Sequence, residues 1–285
     1  MIYLSEFTFP HLEDEYAFTM KEKRTVFNSF YPFQVLGPRG LRRLEFEPVT
    51  ILYGGNGSGK TTALNVMAEK LHLKRDALYN RTSFFEDYLD LCDYEIAHPI
   101  PTESRILASD DVFDFMLDLR ARNNGVDVRR EAIFEEYFDK RGTRFQLRSM
   151  ADYEELKKVN MANSKTLSKY VKGSMPGNVR TRSNGESAFM YFSEKIQENA
   201  VYLLDEPENS LSPARQIELA QFLEDSARFF GCQLIISTHS PFLLAMRGAR
   251  IYNMDENPVR SCRWTELENV RAYHDFFRKH ASEFD

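Results

Sequence analysis

The chain has 285 residues, of which 42% are hydrophobic and 13% aromatic, and its formal net charge at pH 7 is −6. This composition excludes an intrinsically disordered chain, and the negative charge argues against a protein that coats nucleic acid over its whole surface. No run approaches the roughly 18 apolar residues that span a bilayer, and the first residues lack the basic and apolar regions of a secretory signal. We therefore expect a cytoplasmic protein without membrane insertion.

The first segment, residues 1–53, is predicted to be rich in strands. Short aromatic and β-branched runs alternate with prolines and glycines, and short turns between such runs favour antiparallel pairing. We predict an antiparallel β subdomain at the start of the chain. The runs expected to form it are Ile2–Phe9, Thr25–Phe30, Phe33–Leu36 and Leu44–Phe46.

A glycine-rich loop follows the apolar run Val49–Tyr53, and a helical pattern begins directly after it. The loop matches G-x-x-x-x-G-K-[ST] between a strand and a helix, which is the context of a phosphate-binding loop. Glycines allow backbone N–H groups to point at phosphate oxygens, and the helix adds the positive end of its dipole. We expect Lys60 to reach the terminal phosphates and the Thr61 hydroxyl to hold Mg²⁺. The predicted nucleotide-binding residues are Gly54, Asn56, Gly57, Ser58, Gly59, Lys60, Thr61 and Thr62.

Residues 76–185 are predicted to be mainly helical. One helix is expected over Val112–Arg122, preceded by the capping run Ser109–Asp111 and followed by Gly125. A second helix is expected from about Asp152 to Lys172, with four lysines on one face. These lysines are Lys158, Lys165, Lys169 and Lys172.

The same region carries an excess of positive charge. Residues 140–182 contain eleven Lys or Arg against three Asp or Glu, a net charge of +8 that leaves −14 for the rest of the chain. Such a stretch would bind nucleic-acid phosphates with a strong salt dependence. It would equally form a solvated helix face, and the sequence leaves both interpretations open.

From Glu186 onward the pattern alternates between helix and strand. Ala200–Leu204 and Gln233–Thr238 are predicted to be buried strands, separated by a helix that begins at Pro213 after the N-cap residue Ser212. Strands separated by helices of this length build a parallel sheet. The predicted fold class is therefore α/β, with a mostly parallel core sheet.

Two carboxylates follow the first of these strands. Ligands of α/β sheets bind at the carboxyl ends of the strands, so Asp205 is predicted to hold Mg²⁺ there. Glu206 points the other way and would polarise a water molecule towards the terminal phosphate. His239 ends the next strand, and it would lie beside Glu206 if the two strands are neighbours. A purely structural histidine is the alternative.

At this point the chain resembles the ATP-binding-cassette class of P-loop ATPases, and in particular soluble AAA-family ATPases similar to RecF-type and SMC-like proteins. The likeness is carried by Gly54–Thr62, Arg182–Ser187, Leu204–Glu208 and Ser237–Pro241. The resemblance implies an ATPase with ATP and Mg²⁺ as ligands and with Lys60, Glu206 and His239 in catalytic roles. It implies a single domain over residues 1–285, in which residues 1–75 and 186–285 form the nucleotide-binding lobe and residues 76–185 an inserted helical lobe.

The resemblance also implies an ATP-dependent, head-to-tail homodimer. In that arrangement Ser183 and Gly185 would close over the γ-phosphate that is bound at the partner's Lys60. Taken without the resemblance, the same residues form an ordinary turn and helix N-cap.

Some motifs of the family depart from its pattern or are not located. The signature reads Ser-Asn-Gly-Glu, and the stretch after Pro207 lacks the aspartate usual in transporter cassettes. The glutamine loop has no clear counterpart, although Thr82 within Asn80–Phe85 is a candidate to reach Mg²⁺. Tyr31 or Phe33 would stack on adenine, or both are core residues.

Three uses of ATP remain open on the sequence. The first is a DNA-related process, such as repair or defence against foreign DNA, alone or with a partner nuclease. The second is a protein–protein switch that acts on an effector protein without nucleic acid. The third is the ATPase subunit of a membrane transporter, which the signature and the residues after Pro207 disfavour.

Overall fold

The computed structural model describes residues 1–24, 27, 29–142, 153–166, 169–170, 184–209 and 211–284. The chain divides into two compact units. The first consists of Met1–Phe113 together with Asn184–Asp285, and the second of Asp114–Ser183. No helix among the described residues is long and apolar enough to cross a bilayer.

The first unit is built around a six-stranded sheet in the order β5-β6-β7-β3-β8-β9. Five strands are parallel, and β9 pairs with β8 in the antiparallel sense. The strands β3, β6 and β7 are apolar runs with almost every residue buried, as expected for a parallel sheet covered on both faces. The predicted α/β class with a mostly parallel core sheet is confirmed. The strands are β3 (Val49–Tyr53), β5 (Arg105–Ala108), β6 (Val201–Asp205), β7 (Gln233–Thr238), β8 (Arg250–Asn253) and β9 (Arg260–Cys262).

A second, antiparallel sheet has the order β2-β1-β4. Its strands are β1 (Leu4–Thr8), β2 (Arg43–Glu45) and β4 (Asp93–Ile96). The N-terminal antiparallel subdomain is therefore confirmed, but its third strand comes from a region that was predicted to be mainly helical. Strand β4 is exposed along its length, and its Asp-Tyr-Glu-Ile alternation is only four residues long, which is too short a run to distinguish it from the helical pattern around it.

The prediction for residues 10–40 is wrong in two places. Leu12–Lys21 forms helix α1, and the predicted strand Phe33–Leu36 lies in turns. Phe33 is nevertheless buried, because it packs face to face on Phe18 of α1 with 4.5 Å between the ring centroids. A turn whose aromatic side chains pack into the core contains the same residue types as a buried strand, so composition does not distinguish the two. The predicted strand Thr25–Phe30 falls partly outside the described residues, and residues 27, 29 and 30 are not in a strand.

Helices complete the first unit. The helix after the glycine-rich loop, α2, runs over Lys60–Lys70 and buries most of its residues. The predicted N-cap at Ser212 is confirmed at the start of the helix that connects β6 to β7. The helices are α2 (Lys60–Lys70), α3 (Phe85–Asp90), the start of α4 (Ser109–Lys140), α6 (Asn184–Lys195), α7 (Pro213–Phe229), α8 (Pro241–Leu244) and α9 (Glu268–Lys279).

The second unit contains the rest of α4 and the helix α5 (Tyr153–Ser164). The predicted end of α4 near Gly125 is wrong, since one glycine costs a helix interior only about 1 kcal/mol and the flanking turns continue the helix. The predicted helix up to Lys172 is also wrong, because α5 ends at Ser164; Lys172 and the end of that prediction lie outside the described residues. A small core in this unit consists of Tyr137, Ala162 and Tyr170.

Candidate active site

The glycine-rich loop joins β3 to α2 and is shaped by its small residues. Gly57 and Gly59 have φ values of 77° and 92°, in the left-handed region that favours glycine. A Cβ atom on Gly59 would lie 2.8 Å from Cδ2 of Leu36, which is fully buried. The loop therefore lies against the core on one side, and its backbone curls as a phosphate-binding loop does.

Lys60, the first residue of α2, is almost fully buried, with 4% of its side chain exposed. Its Nζ donates hydrogen bonds to the carbonyl oxygens of Gly54 and Gly55 at 2.7 and 3.1 Å. The same nitrogen lies 3.6 Å from Oε1 of Glu206. The ammonium group is thus held at the loop and faces a carboxylate from another strand.

Thr61, Asp205 and Ser237 meet next to Lys60. The Thr61 hydroxyl donates to Oδ1 of Asp205 at 3.1 Å, and the Ser237 hydroxyl donates to the same oxygen. Burial raises the pKa of Asp205, while the two hydroxyl donors oppose the shift. A hydroxyl and a partly buried carboxylate at this spacing are oxygen ligands of the kind that Mg²⁺ prefers.

Glu206 follows β6 in an unusual backbone conformation. Its φ of 47° is left-handed, which costs a non-glycine residue about 1–3 kcal/mol and is found preferentially at functional sites. Its N–H donates to the carbonyl and the hydroxyl of Ser237 at 3.0 and 3.1 Å. Its Oε2 accepts a hydrogen bond from the Asn209 amide at 3.1 Å. These bonds direct Oε1 towards Lys60.

His239 directly follows β7, which is the neighbour of β6 in the sheet. Its Nδ1 lies 3.8 Å from Oε1 of Glu206 and 3.8 Å from Oε1 of Glu208, and 51% of its side chain is exposed. The condition set by the sequence is met, since the two strands pair with Asp205 opposite Ser237. The imidazole stands between two carboxylates.

Lys60, Thr61, Asp205 and Glu206 line a common cavity of about 460 Å³ together with the glycine-rich loop, whereas His239 is not among its lining residues. Within it, Oγ of Ser58 is buried and has no hydrogen-bond partner in the structure, and a Cβ on Gly57 would meet open space. The described residues form no group of three or more His, Cys, Asp or Glu that could hold a metal alone. Mg²⁺ at nucleotide sites takes only one or two protein ligands besides phosphates and water, so Thr61 and Asp205 fit this role.

Two polar cavity residues were missed by the sequence interpretation. Ser109 and Asp110 follow β5 and line the same cavity as Thr61 and Asp205. Ala108 pairs with Asp205 across β5 and β6, which places the next two residues at the same edge of the sheet. The sequence showed Ser-Asp-Asp only as a helix cap, because nothing in the sequence placed β5 beside β6.

Residues from distant parts of the chain brace the loop. The Gly55 N–H donates to both carboxylate oxygens of Asp255 at 3.0 and 2.9 Å, and the Arg39 guanidinium donates to the Gly57 carbonyl at 2.7 Å. Both contacts span long sequence separations, and no local pattern signals them.

The remaining candidates have different outcomes. Tyr31 lines the cavity, and its hydroxyl donates to Thr62 Oγ1 at 3.3 Å. Phe33 is buried in the core, which agrees with the core alternative that the sequence left open. The Thr82 hydroxyl donates to the Tyr31 carbonyl and accepts from the Phe84 N–H at 3.2 Å, whereas Asn80 lines the adjoining cavity with Thr61 and Asp205. Gly185 lies in α6, and Ser183 is outside the described residues.

A family model described as "AAA domain, putative AbiEii toxin, Type IV TA system" matches residues 182–245. This segment contains Gly185, Asp205, Glu206 and His239, in the order that the predicted resemblance requires. The chain resembles an ATP-binding-cassette ATPase. The match over this segment, the parallel sheet and the loop geometry are consistent with this resemblance.

Comparison with curated proteins gives no match. Among solved structures, the chain is similar to the Smc head domain of Pyrococcus furiosus with an extended coiled coil, bound to the C-terminal domain of ScpA, at 13% identity and a TM-score of 0.46, covering 98% of this chain and 100% of that one. The SMC head domain of Thermotoga maritima has 11% identity, a TM-score of 0.38 and coverages of 92% and 98%. A dimeric, post-hydrolysis ATP-binding cassette bound to ADP and Pi has 14% identity, a TM-score of 0.37 and coverages of 78% and 88%. Scores this low do not by themselves assign a function.

Proposed function

We propose that the protein binds ATP with Mg²⁺ and hydrolyses it to ADP and phosphate. The observation that carries the proposal is the meeting of two chain segments at one cavity. Lys60 Nζ lies 3.6 Å from Glu206 Oε1, and the Thr61 hydroxyl lies 3.1 Å from Asp205 Oδ1. A phosphate-binding loop that faces a metal-binding carboxylate and a second carboxylate is the arrangement that phosphoryl transfer to water needs.

In the proposed mechanism, the loop N–H groups and Lys60 bind the phosphates and stabilise the charge that develops on them. Thr61 and Asp205 would hold Mg²⁺, which supplies Lewis-acid stabilisation of the terminal phosphates when it is bound. Glu206 orients the attacking water and accepts its proton through Oε1. His239, which follows the neighbouring strand β7 and has Nδ1 3.8 Å from Glu206 Oε1, holds that carboxylate in place. No covalent intermediate with the enzyme is involved.

Dimerisation is part of the proposal and rests on the resemblance. Ser183 and Gly185 of one subunit would close over the γ-phosphate at the partner's Lys60. The rate per subunit should then fall on deep dilution, and a rate that stays constant would indicate a monomeric enzyme.

For the biological role we propose a DNA-related process, supported by the net charge of +8 over residues 140–182. Of the four lysines that were predicted to share a face, Lys165 and Lys169 are exposed, and Lys158 forms an ion pair with Glu136. A salt series of DNA and RNA binding, with all four lysines changed to glutamate, tests this role. Binding that does not depend on these lysines would favour the alternative of an ATP-driven switch on an effector protein.

The test of the proposed activity is Mg²⁺-dependent phosphate release by the wild-type protein and by Lys60→Ala. The variant should lose nucleotide binding and turnover together. Lys279→Ala, an exposed lysine in the last turn of α9, is the control and should behave as the wild type. Equal release by wild type and Lys60→Ala, or no release by the wild type, would refute the assignment.

A further inference from the structure

A third carboxylate, Glu208, lies two residues beyond Glu206, and it is 4% exposed. Its Oε1 accepts hydrogen bonds from the Thr238 hydroxyl, from the His239 N–H at 3.0 Å and from the Ser240 N–H at 3.2 Å. One oxygen atom therefore joins the segment after β6 to the turn after β7. These are the two segments that carry Glu206 and His239.

The turn after β7 also makes hydrogen bonds with residues other than Glu208. The His239 carbonyl accepts from the Asn269 amide at 2.8 Å, and the Ser240 hydroxyl donates to the Gln216 side chain at 2.7 Å. Neither bond involves the backbone N–H groups of His239 and Ser240. The Ser240 N–H also donates to the Thr238 hydroxyl oxygen at 3.0 Å, and Glu208 Oε1 is the acceptor that the His239 and Ser240 N–H groups share.

Burying a carboxylate to accept these N–H groups costs desolvation free energy. Oε2 of Glu208 is buried without a hydrogen-bond partner, and burial raises the pKa of the side chain. A neutral acceptor of the same length would bind the same N–H groups at less cost in desolvation. The imidazole of His239 faces both this carboxylate and Glu206, with Nδ1 3.8 Å from Oε1 of each.

We infer that Glu208 is a positioning residue for the reaction: it clamps the turn after β7 so that the His239 imidazole stays beside Glu206. The inference rests on the proposed ATP hydrolysis and adds to it a residue that touches neither ATP nor the attacking water. Glu208 acts only through His239, and the length of its side chain matters more for kcat than its charge.

The experiment is a double-mutant cycle on kcat and KM for ATP, using the full chain. Glu208→Ala should lower kcat by about 10- to 100-fold, as expected for a displaced catalytic group, and should change KM less than about threefold. In a His239→Ala background, the same change should alter kcat less than about twofold, because the residue through which it acts is gone. Glu194→Ala, at an exposed position of α6, should leave kcat and KM unchanged.

Two conservative variants separate the effect of side-chain length at position 208 from the effect of its charge. Glu208→Gln keeps an acceptor oxygen at the same distance and should retain most of kcat. Glu208→Asp keeps the charge but is one methylene shorter, and it should resemble Glu208→Ala. If Glu208→Ala does not fold, the pair Gln and Asp carries the same test, both alone and with His239→Ala.

The outcomes are distinguishable. If the wild type hydrolyses ATP and Glu208→Ala has an unchanged kcat, this inference is overturned and the ATPase assignment stays intact. The same holds if the losses in kcat from Glu208→Ala and His239→Ala multiply in the double variant, as they would for an independent structural defect. Recovery by Asp rather than Gln would overturn it as well, since charge would then be the essential property. An inactive wild-type protein would overturn the proposed function, and with it this inference.

Discussion

Lys60, at the carboxyl edge of the central sheet, is 4% exposed, whereas Lys158 in the second unit is half exposed. Lys60 is held by two carbonyls of its own loop and faces Glu206, while Lys158 is paired with Glu136 at 2.7 Å in contact with solvent. Buried charges cost desolvation energy, and solvated pairs contribute roughly 0–1 kcal/mol. Under the proposed function, the buried charges around Lys60 are retained because they bind a charged ligand.

The largest effect on the buried site is expected from removing Glu206, the proposed general base. Glu206→Gln should reduce turnover by about 10²- to 10⁴-fold, the range for general-base catalysis, because the amide cannot accept the proton of water. ATP binding should persist, and an ATP-bound dimer should accumulate on a sizing column. Glu194→Gln is the control. Substantial turnover in Glu206→Gln would remove Glu206 from its role.

The shape of the loop is tested by Gly59→Ala. The left-handed φ of 92° and the 2.8 Å approach to Leu36 predict a loss of about 1–3 kcal/mol in the free energy of unfolding and a large drop in ATP affinity. Gly248→Ala is a matched control, since Gly248 has a φ of 72° but nothing within 4 Å of its added Cβ. Denaturant unfolding and nucleotide titration provide the readouts. Equal losses in both variants would show that the backbone angle, and not the packing against Leu36, is responsible.

Asp205→Asn tests the cost of the buried charge. Burial raises the pKa of Asp205, so the wild-type carboxylate destabilises the fold at neutral pH and ceases to do so as the pH falls through that raised pKa. Without nucleotide, the variant should melt a few degrees higher than the wild type at pH 7, and the difference should vanish in acid. Its stabilisation by ATP should no longer depend on Mg²⁺. A lower melting temperature at pH 7 would contradict this account of Asp205.

The smallest effect is expected in the second unit. Lys158→Ala should change the free energy of unfolding by less than about 1 kcal/mol, because its ion pair is solvated. If the lysines contact phosphates, the same change should reduce the salt slope of nucleic-acid binding by about one unit. Lys279→Ala should leave that slope unchanged. A slope that Lys158→Ala does not alter would separate Lys158 from any phosphate contact.

Secondary structure was predicted best from the sequence where a buried apolar run ends at residues typical of turns. The run from β3 to Lys60, the strand before Glu206 and the strand before His239 are continuous apolar segments with clear boundaries, so their ends were predictable to within one residue. The exposed β4, the turn that buries Phe33 and the course of α4 through Gly125 depend on tertiary contacts. Ser109, Asp110 and the bonds of Glu208 required knowing that β6 lies between β5 and β7.

The central claim is that Lys60 and its loop bind a polyphosphate together with Mg²⁺. Calorimetric titration of ATP into the wild type, Lys60→Ala and Lys279→Ala, each with and without Mg²⁺, tests this claim most directly. The account predicts saturable, Mg²⁺-dependent binding by the wild type and Lys279→Ala, and none by Lys60→Ala. Binding of equal affinity by Lys60→Ala, or no binding by the wild type, would contradict it.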